Sequence, residues 1–287
     1  MISLTKRENV AVLTLARPPV NAIDEPMLEE LEGAYQRIRA DEAVRSVVVR
    51  SAQRFFSPGV DIAMIHSLIT GSHDADSLLA FNRRLQHFYA MWAELGLVTI
   101  AAMEGTATGG GLEFALACDL RVASRDATVG LPEAKIGLLP GAGGTQRLTR
   151  VAGLAAATRL ILTGELVSGA EAERLGIVHM AVERRDVEPQ AFTWAGEVAA
   201  LPRTTVAEIK RCLALAPSEA GFAAEIDGTG RVLAAPDSHR LIEKFLERHA
   251  GNRETMDLRG ADTPFEDSGV PVDAARVSGH GPSVMGR

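Results

Sequence analysis

Three short stretches carry residue types that do chemistry at the spacing chemistry needs. Gly105-Thr106-Ala107-Thr108-Gly109-Gly110-Gly111-Leu112-Glu113 sets three consecutive glycines between a strand pattern and a helix pattern. Glycines there let a ligand approach the backbone closely, and free N–H groups at the positive end of a helix suit a developing anion. Phe55-Phe56-Ser57-Pro58-Gly59-Val60-Asp61 follows a buried strand pattern. A Pro-Gly turn aims backbone N–H groups inward, and Ser57 has an N–H to offer where Pro58 has none. Gly130-Leu131-Pro132-Glu133 places a carboxylate among apolar neighbours. Desolvation raises the pKa of such a carboxylate toward the range of a general acid or base at neutral pH. Each stretch has a plainer reading beside this one: a strand-to-helix turn at 55–61, a favourable dipole contact for Glu113 in a first helical turn, and a surface acid after a proline for Glu133.

Other chemistries find no support. His66, His73, His87, His179, His239, His249 and His280 are scattered, without metal-ligand spacing. Ser57 lies in no GxSxG elbow. Gly141-Ala142-Gly143-Gly144 departs from GxGxxG and follows Leu-Leu-Pro, so a dinucleotide cradle is rejected. Cys118 and Cys212, far apart in apolar stretches, read as free thiols of a reducing compartment, not as a disulfide or a metal pair.

The elements that must hold these stretches follow from periodicity. Residues 10–16 read as a strand ending at Arg17-Pro18-Pro19, which cannot continue a ladder. A helix opens at Asp24 or Glu25, with Met27, Leu28, Leu31, Ala34, Tyr35 and Ile38 on its apolar face. A strand at Ser46–Arg50 feeds a loop from Ser51 to Asp61. A helix at 76–94 carries the stripe Leu78, Leu79, Phe81, Leu85, Phe88, Met91 and Trp92, and a strand at Val98–Met103 runs into the glycine-rich stretch. A helix beginning LEFALACDL and a strand at 120–123 follow. The order recurs at intervals of roughly fifty residues, which suggests turns of a ββα-like spiral, not one doubly wound sheet. Past residue 150 strand signals nearly vanish and helical patterns occupy 153–163, 169–174, 189–200, 203–215, 219–234 and 237–249. Residues 251–287 hold six Gly and three Pro with no periodicity, and read as a flexible or extended tail or as a segment laid on a neighbouring subunit.

The 287 residues are 46% hydrophobic and 23% charged, enough for a large core, and carry a net charge of −7. That balance argues against nucleic acid as a partner. The first residues show no signal-peptide pattern and the longest apolar runs fall short of a membrane span, so the expectation is a cytoplasmic protein without membrane contact.

Taken together, Arg17-Pro18-Pro19-Val20-Asn21-Ala22, FFSPGVDI, GGGLEFALACDLRVAS and LPEAKIGLLPGAGGTQRL, in this order, resemble the enoyl-CoA hydratase/isomerase (crotonase) family over roughly residues 3–250. The resemblance implies an α/β fold: a crotonase-like spiral of repeated ββα turns over 1–195 containing the active site, a helical C-terminal trimerisation region over 196–250, and the tail 251–287. It implies hydration of a trans-2-enoyl-CoA to a 3-hydroxyacyl-CoA. The backbone N–H groups of Ser57 and Gly110 would form the oxyanion hole, Glu113 would deprotonate the attacking water, and Glu133 would protonate C2. Substrate would lie along Pro18, Pro19, Val20, Ser57, Gly59, Val60, Asp61, Ile62, Gly109, Gly110 and Pro132, with Phe245 and Arg248 at the CoA nucleotide. Ile62, Ile65, Met91 and Trp92 would shape the acyl pocket or be plain core. No cofactor is implied beyond the CoA of the substrate, no metal, and no partner beyond a homotrimer or a dimer of trimers. Isomerase, carbon–carbon-cleaving and thioester-cleaving chemistry in the same oxyanion hole remain alternatives, as does a non-catalytic CoA- or RNA-binding homologue.

Overall fold

The computed structural model describes residues 1–70 and 75–249. Two units are distinguished, Met1–Leu241 and Ile242–Arg287. Of the second, the described part is the helical segment Ile242–His249.

The first unit is built on a six-stranded sheet. Its strands are β1 (Ile2–Arg7), β2 (Val10–Leu15), β3 (Ser46–Ser51), β4 (Val98–Met103), β6 (Leu120–Ser124) and β9 (Met180–Val182), adjacent in that order. β1 pairs antiparallel with β2, and every other neighbour is parallel. Parallel neighbours need long crossovers, and helices supply them. These are α1 (Glu25–Ala40) between β2 and β3, α2 (Ile62–Thr70) and α3 (Ala75–Ala93) between β3 and β4, and α4 (Gly110–Ala117) before β6. A second sheet joins β5 (Ala107–Thr108), β7 (Thr128–Gly130) and β8 (Leu166–Ser168). The remaining helices are α5 (Gly144–Thr163), α6 (Gly169–Arg174), α7 (Val187–Ala199), α8 (Arg203–Ala214), α9 (Glu219–Leu233) and α10 (Pro236–His249). This two-sheet spiral is the α/β arrangement expected.

Period-two alternation sorts the sheet residues into two cores. Val47 and Val49 of β3, with Ala101 and Met103 of β4, face the cluster that buries the apolar faces of α1, α3 and α4. Val48, Ile100, Ala102 and Val122 face the other way, against Val187, Ala191 and Ala195 of α7. Both faces being covered explains why β2 and β3 read as unbroken apolar runs. All six residues expected on the inner face of α1 are buried there, and Asp24 caps the helix by accepting from Met27 N–H at 3.0 Å.

Several elements escape the periodicity reading. β1, β5, β7, β8, β9 and α2 are additional, and α5 starts at Gly144, well before 153, with a break at Gly153, whose φ is +77°. Residue 195, where the spiral was expected to end, lies inside α7, and the Ser46 hydroxyl donates to the Ala195 carbonyl at 2.9 Å. The tail 251–287 lies outside the described residues.

Candidate active site

The site forms where the loop after β3 meets the start of α4. Ser57 bridges Ala107 in a strand-like register: its N–H donates to Thr106 O at 3.1 Å and its carbonyl accepts from Thr108 N–H at 3.0 Å. Ser57 is therefore not a free donor, which corrects the expectation that its N–H lines an oxyanion hole. The chain then passes Pro58 and turns at Gly59, whose φ of +111° only glycine takes without strain. A side chain on Gly59 would begin 2.9 Å from Gly110 N, so the close approach also requires glycine. Beyond the turn, Val60 N faces the Gly110 backbone, 3.4 Å from where a side chain on Gly110 would begin. Among the described residues neither Val60 N–H nor Gly110 N–H has a protein acceptor. The free pair is thus Val60 and Gly110, the latter at the first turn of α4, where the helix dipole favours negative charge.

Glu113 projects from that same turn. It is 2% exposed, and its Oε1 accepts from Ala142 N–H at 2.8 Å and Gly144 N–H at 2.7 Å. Gly144 is required here because a side chain on it would begin 2.9 Å from that oxygen. Burial pushes the carboxyl up to about 7. The Gly144 N–H opposes that rise, the Glu133 charge adds to it, and the Ala142 N–H and Arg147 oppose it. Arg147 also donates to Ala142 O at 2.9 Å, bracing the loop that grips Glu113. Glu133 opens a short 3-10 turn, Glu133–Ile136, after Pro132. Its Oε1 stands 3.2 Å from where a side chain on Gly109 would begin, and its Oε2 is buried with no partner among the described residues. Burial raises this carboxyl too, while its own backbone N–H opposes the rise. Two N–H donors and two buried carboxyls, of which Glu113 senses the Glu133 charge, thus gather around Gly109 and Gly110. Such a site can stabilise an oxyanion while moving protons to and from neighbouring carbons.

Residues 5–254 match the family model described as enoyl-CoA hydratase/isomerase. The chain belongs to this family. It is 39% identical over 251 residues to a probable enoyl-CoA hydratase of Bacillus subtilis (strain 168), covering 86% of this chain and 96% of that one. It is 31% identical over 256 residues to a crotonyl-CoA hydratase of Syntrophomonas wolfei, covering 88% and 96%. The crystal structure of the enoyl-CoA hydratase from Bacillus anthracis superposes with a TM-score of 0.80 at 28% identity, covering 86% of this chain and 96% of that one.

In this member of the enoyl-CoA hydratase/isomerase family, Asn21 ties the Arg17–Ala22 loop to the site. It is fully buried at φ +61°, a conformation asparagine tolerates better than most residues. Its Oδ1 accepts from Arg17 N–H at 2.8 Å, and its Nδ2 donates to Ser51 Oγ at 2.8 Å and Phe56 O at 3.0 Å. The Ser57 hydroxyl returns a bond to Asn21 O at 2.8 Å. Arg17 pairs with Asp24 at 2.7 Å and Asp61 at 3.0 Å. Burial works to raise the Asp61 carboxyl, but Arg17 and the N–H groups of Met64 and Ala63 together hold it below the usual range. Ile23 bridges Val60 in parallel, which brings Val20 and the exposed Pro18 and Pro19 into the loop joined to Gly59–Asp61. Arg17, Asn21, Ala142 and Gly144 stand in motifs quoted above, but their roles are not legible there, since those lie in non-local hydrogen bonds. Of the acyl-pocket candidates, Trp92 is core, packed on Phe88 and Phe114 at 6.0 and 5.3 Å; Ile62 is exposed, and Ile65 and Met91 are half-buried. Phe245 is 47% exposed within the second unit, and the Arg248 side chain lies outside the described residues. Among the described residues no His/Cys/Asp/Glu group suits a metal, and no helix is long and apolar enough to cross a membrane.

Proposed function

We propose that this protein adds water across the double bond of a trans-2-enoyl-CoA to give a 3-hydroxyacyl-CoA. The observation that carries the reading is the free N–H pair of Val60 and Gly110 beside two carboxyls that burial has raised, Glu113 to about 7. The hydratase names of the relatives support it. The thioester oxygen accepts from Val60 and Gly110, which stabilise the enolate-like charge that builds as C3 is attacked; one such donor is worth ~3–4 kcal/mol. Glu113 takes a proton from the attacking water, whose oxygen bonds to C3, and Glu133 gives its proton to C2. Water is consumed whole and no electrons are exchanged with a third party, so the chemistry calls on no cofactor other than the CoA of the substrate. The product leaves Glu113 protonated and Glu133 ionised, and exchange with solvent resets the pair.

The Pro18–Val20 loop, Gly59–Ile62, Gly109 and Pro132 border the thioester and pantetheine. The working form is a homotrimer or a dimer of trimers acting in the cytoplasm. Exposed Phe222, Ile226 and Leu233 of α9, with Ile209 and Leu213 of α8, give it apolar surface to bury. Mass spectrometry of the product formed from crotonyl-CoA tests the activity: gain of one water supports hydration, whereas an unchanged mass with a shifted double bond replaces it by isomerisation.

A further inference from the structure

Tyr89 lies on α3 with its ring fully buried, stacked on Phe114 of α4 at 5.3 Å and 15° and tilted against Phe88 at 5.8 Å. A phenylalanine would make the same packing contacts. A buried hydroxyl costs free energy unless it is bonded, and this one donates to the Gly110 carbonyl at 2.9 Å. The ring and the hydroxyl therefore hold residues 114 and 110, one turn apart on the helix that presents both Gly110 N–H and Glu113.

We propose that Tyr89 is a positioning residue for the reaction: by holding the Gly110 carbonyl it fixes the Gly110–Gly111 peptide at the start of α4, and with it the turn that keeps the Gly110 N–H, one peptide back, aimed at the thioester oxygen. The inference rests on the hydratase reading and names a residue that serves that site without touching substrate. Glycine has the widest backbone freedom of any residue, and the strength of an N–H donor falls steeply with misalignment, so an external restraint on Gly110 has an effect to exert. The hydroxyl is a dependable donor. Burial, and then the nearby Glu113 charge, push its pKa well above 10, while the Arg147 charge opposes them only in part.

Tyr89→Phe removes the hydroxyl and keeps the ring. Two readouts follow: steady-state hydration of crotonyl-CoA, and the infrared carbonyl stretch of bound butyryl-CoA isotope-labelled at the carbonyl carbon, which is saturated and cannot be hydrated. The expected result is a kcat about 10-fold lower with KM changed by less than about twofold, and a bound carbonyl stretch moved back toward its value in water. Ser46→Ala is the control, because it deletes another buried hydroxyl-to-carbonyl bond, to Ala195. It is expected to lower the melting temperature and leave both readouts alone. Wild-type values in Tyr89→Phe, or equal losses in Ser46→Ala, would overturn the proposal. If the wild type hydrates crotonyl-CoA and Tyr89→Phe matches it in both readouts, only the Tyr89 inference fails. If the wild type binds butyryl-CoA with a shifted carbonyl but does not hydrate, the hydratase reading fails, and the stretch alone decides on Tyr89.

Discussion

Glu113 is a carboxylate that has lost its water and retained two backbone donors. Burial outweighs the N–H groups of Gly144 and Ala142, so the group titrates near 7 where an exposed glutamate titrates near 4.5. The stability consequence has a definite sign. Between 4.5 and about 7 the folded protein holds a proton that the unfolded chain has released, so Glu113's contribution to stability is greatest below 4.5 and is lost as pH rises through about 7. Activity runs the other way on that limb, because the base must be ionised. With Glu113 ionised as the base and Glu133 protonated as the acid, the proposed mechanism predicts a bell-shaped kcat/KM with its rising limb near neutrality. Glu113→Gln and Glu133→Gln should each lower the rate by ~100-fold or more, and Glu113→Gln should also raise thermal stability at pH 8 relative to wild type, as seen by calorimetry. A Glu113→Gln enzyme with wild-type turnover would remove the two-carboxyl mechanism. The backbone donors are separable in the same way: Val60→Pro deletes one N–H and is expected to cost ~100-fold or more in kcat with CoA-thioester binding retained. Ser57→Ala, which deletes the hydroxyl bonded to Asn21 O and leaves the backbone N–H on Thr106, should cost far less.

At the scale of elements, the site depends on loops stapled by side chain-to-backbone bonds. Asn21 bonds Arg17 N–H, Phe56 O and Ser51 Oγ at once and occupies a left-handed conformation besides. Asn21→Ala leaves buried carbonyls and an N–H without partners, and should destabilise the fold by ~2–4 kcal/mol and weaken substrate binding through the slackened 51–61 loop. Denaturant unfolding with a parallel KM measurement checks both, and an unaltered unfolding midpoint would show that the staple is dispensable. How much of this was legible in sequence depends on how local the cause is. β2, β3, β4 and α1 were readable because β-branched runs and a 3.6-residue stripe are properties of the segment itself. β5, β7 and β8 are two or three residues long, too short to show alternation, and exist only because they pair with one another. The start of α5 was hidden by Gly143-Gly144, a poor helix signal that the grip on Glu113 demands. Both glutamates and Gly110 were visible as chemistry-bearing residues, but which N–H stays free was not. That is decided by a bridge from Ser57 to Ala107, fifty positions along the chain, which consumes one donor and leaves the one beyond the Gly59 turn.

Among the described residues, α8 and α9 carry several exposed large apolar side chains, Ile209 and Leu213 on α8 among them. Phe222, Ile226 and Leu233 of α9 are 69%, 77% and 52% exposed. Sedimentation velocity should therefore give a trimer or hexamer mass. Ile226→Lys, on an exposed site with no burial in the single chain, should shift it toward smaller species, and a monomeric wild type would contradict the assembly proposed. The family resemblance located the fold and the order of the site segments. The most direct test of the central claim is the loss of conjugated-thioester absorbance when purified protein meets crotonyl-CoA, run beside the Glu113→Gln variant. Hydration by a free N–H pair and two raised carboxyls predicts rapid loss with 3-hydroxybutyryl-CoA as product, and a trace at least ~100-fold slower for the variant. No loss in wild type, under conditions where it binds crotonyl-CoA, would contradict it.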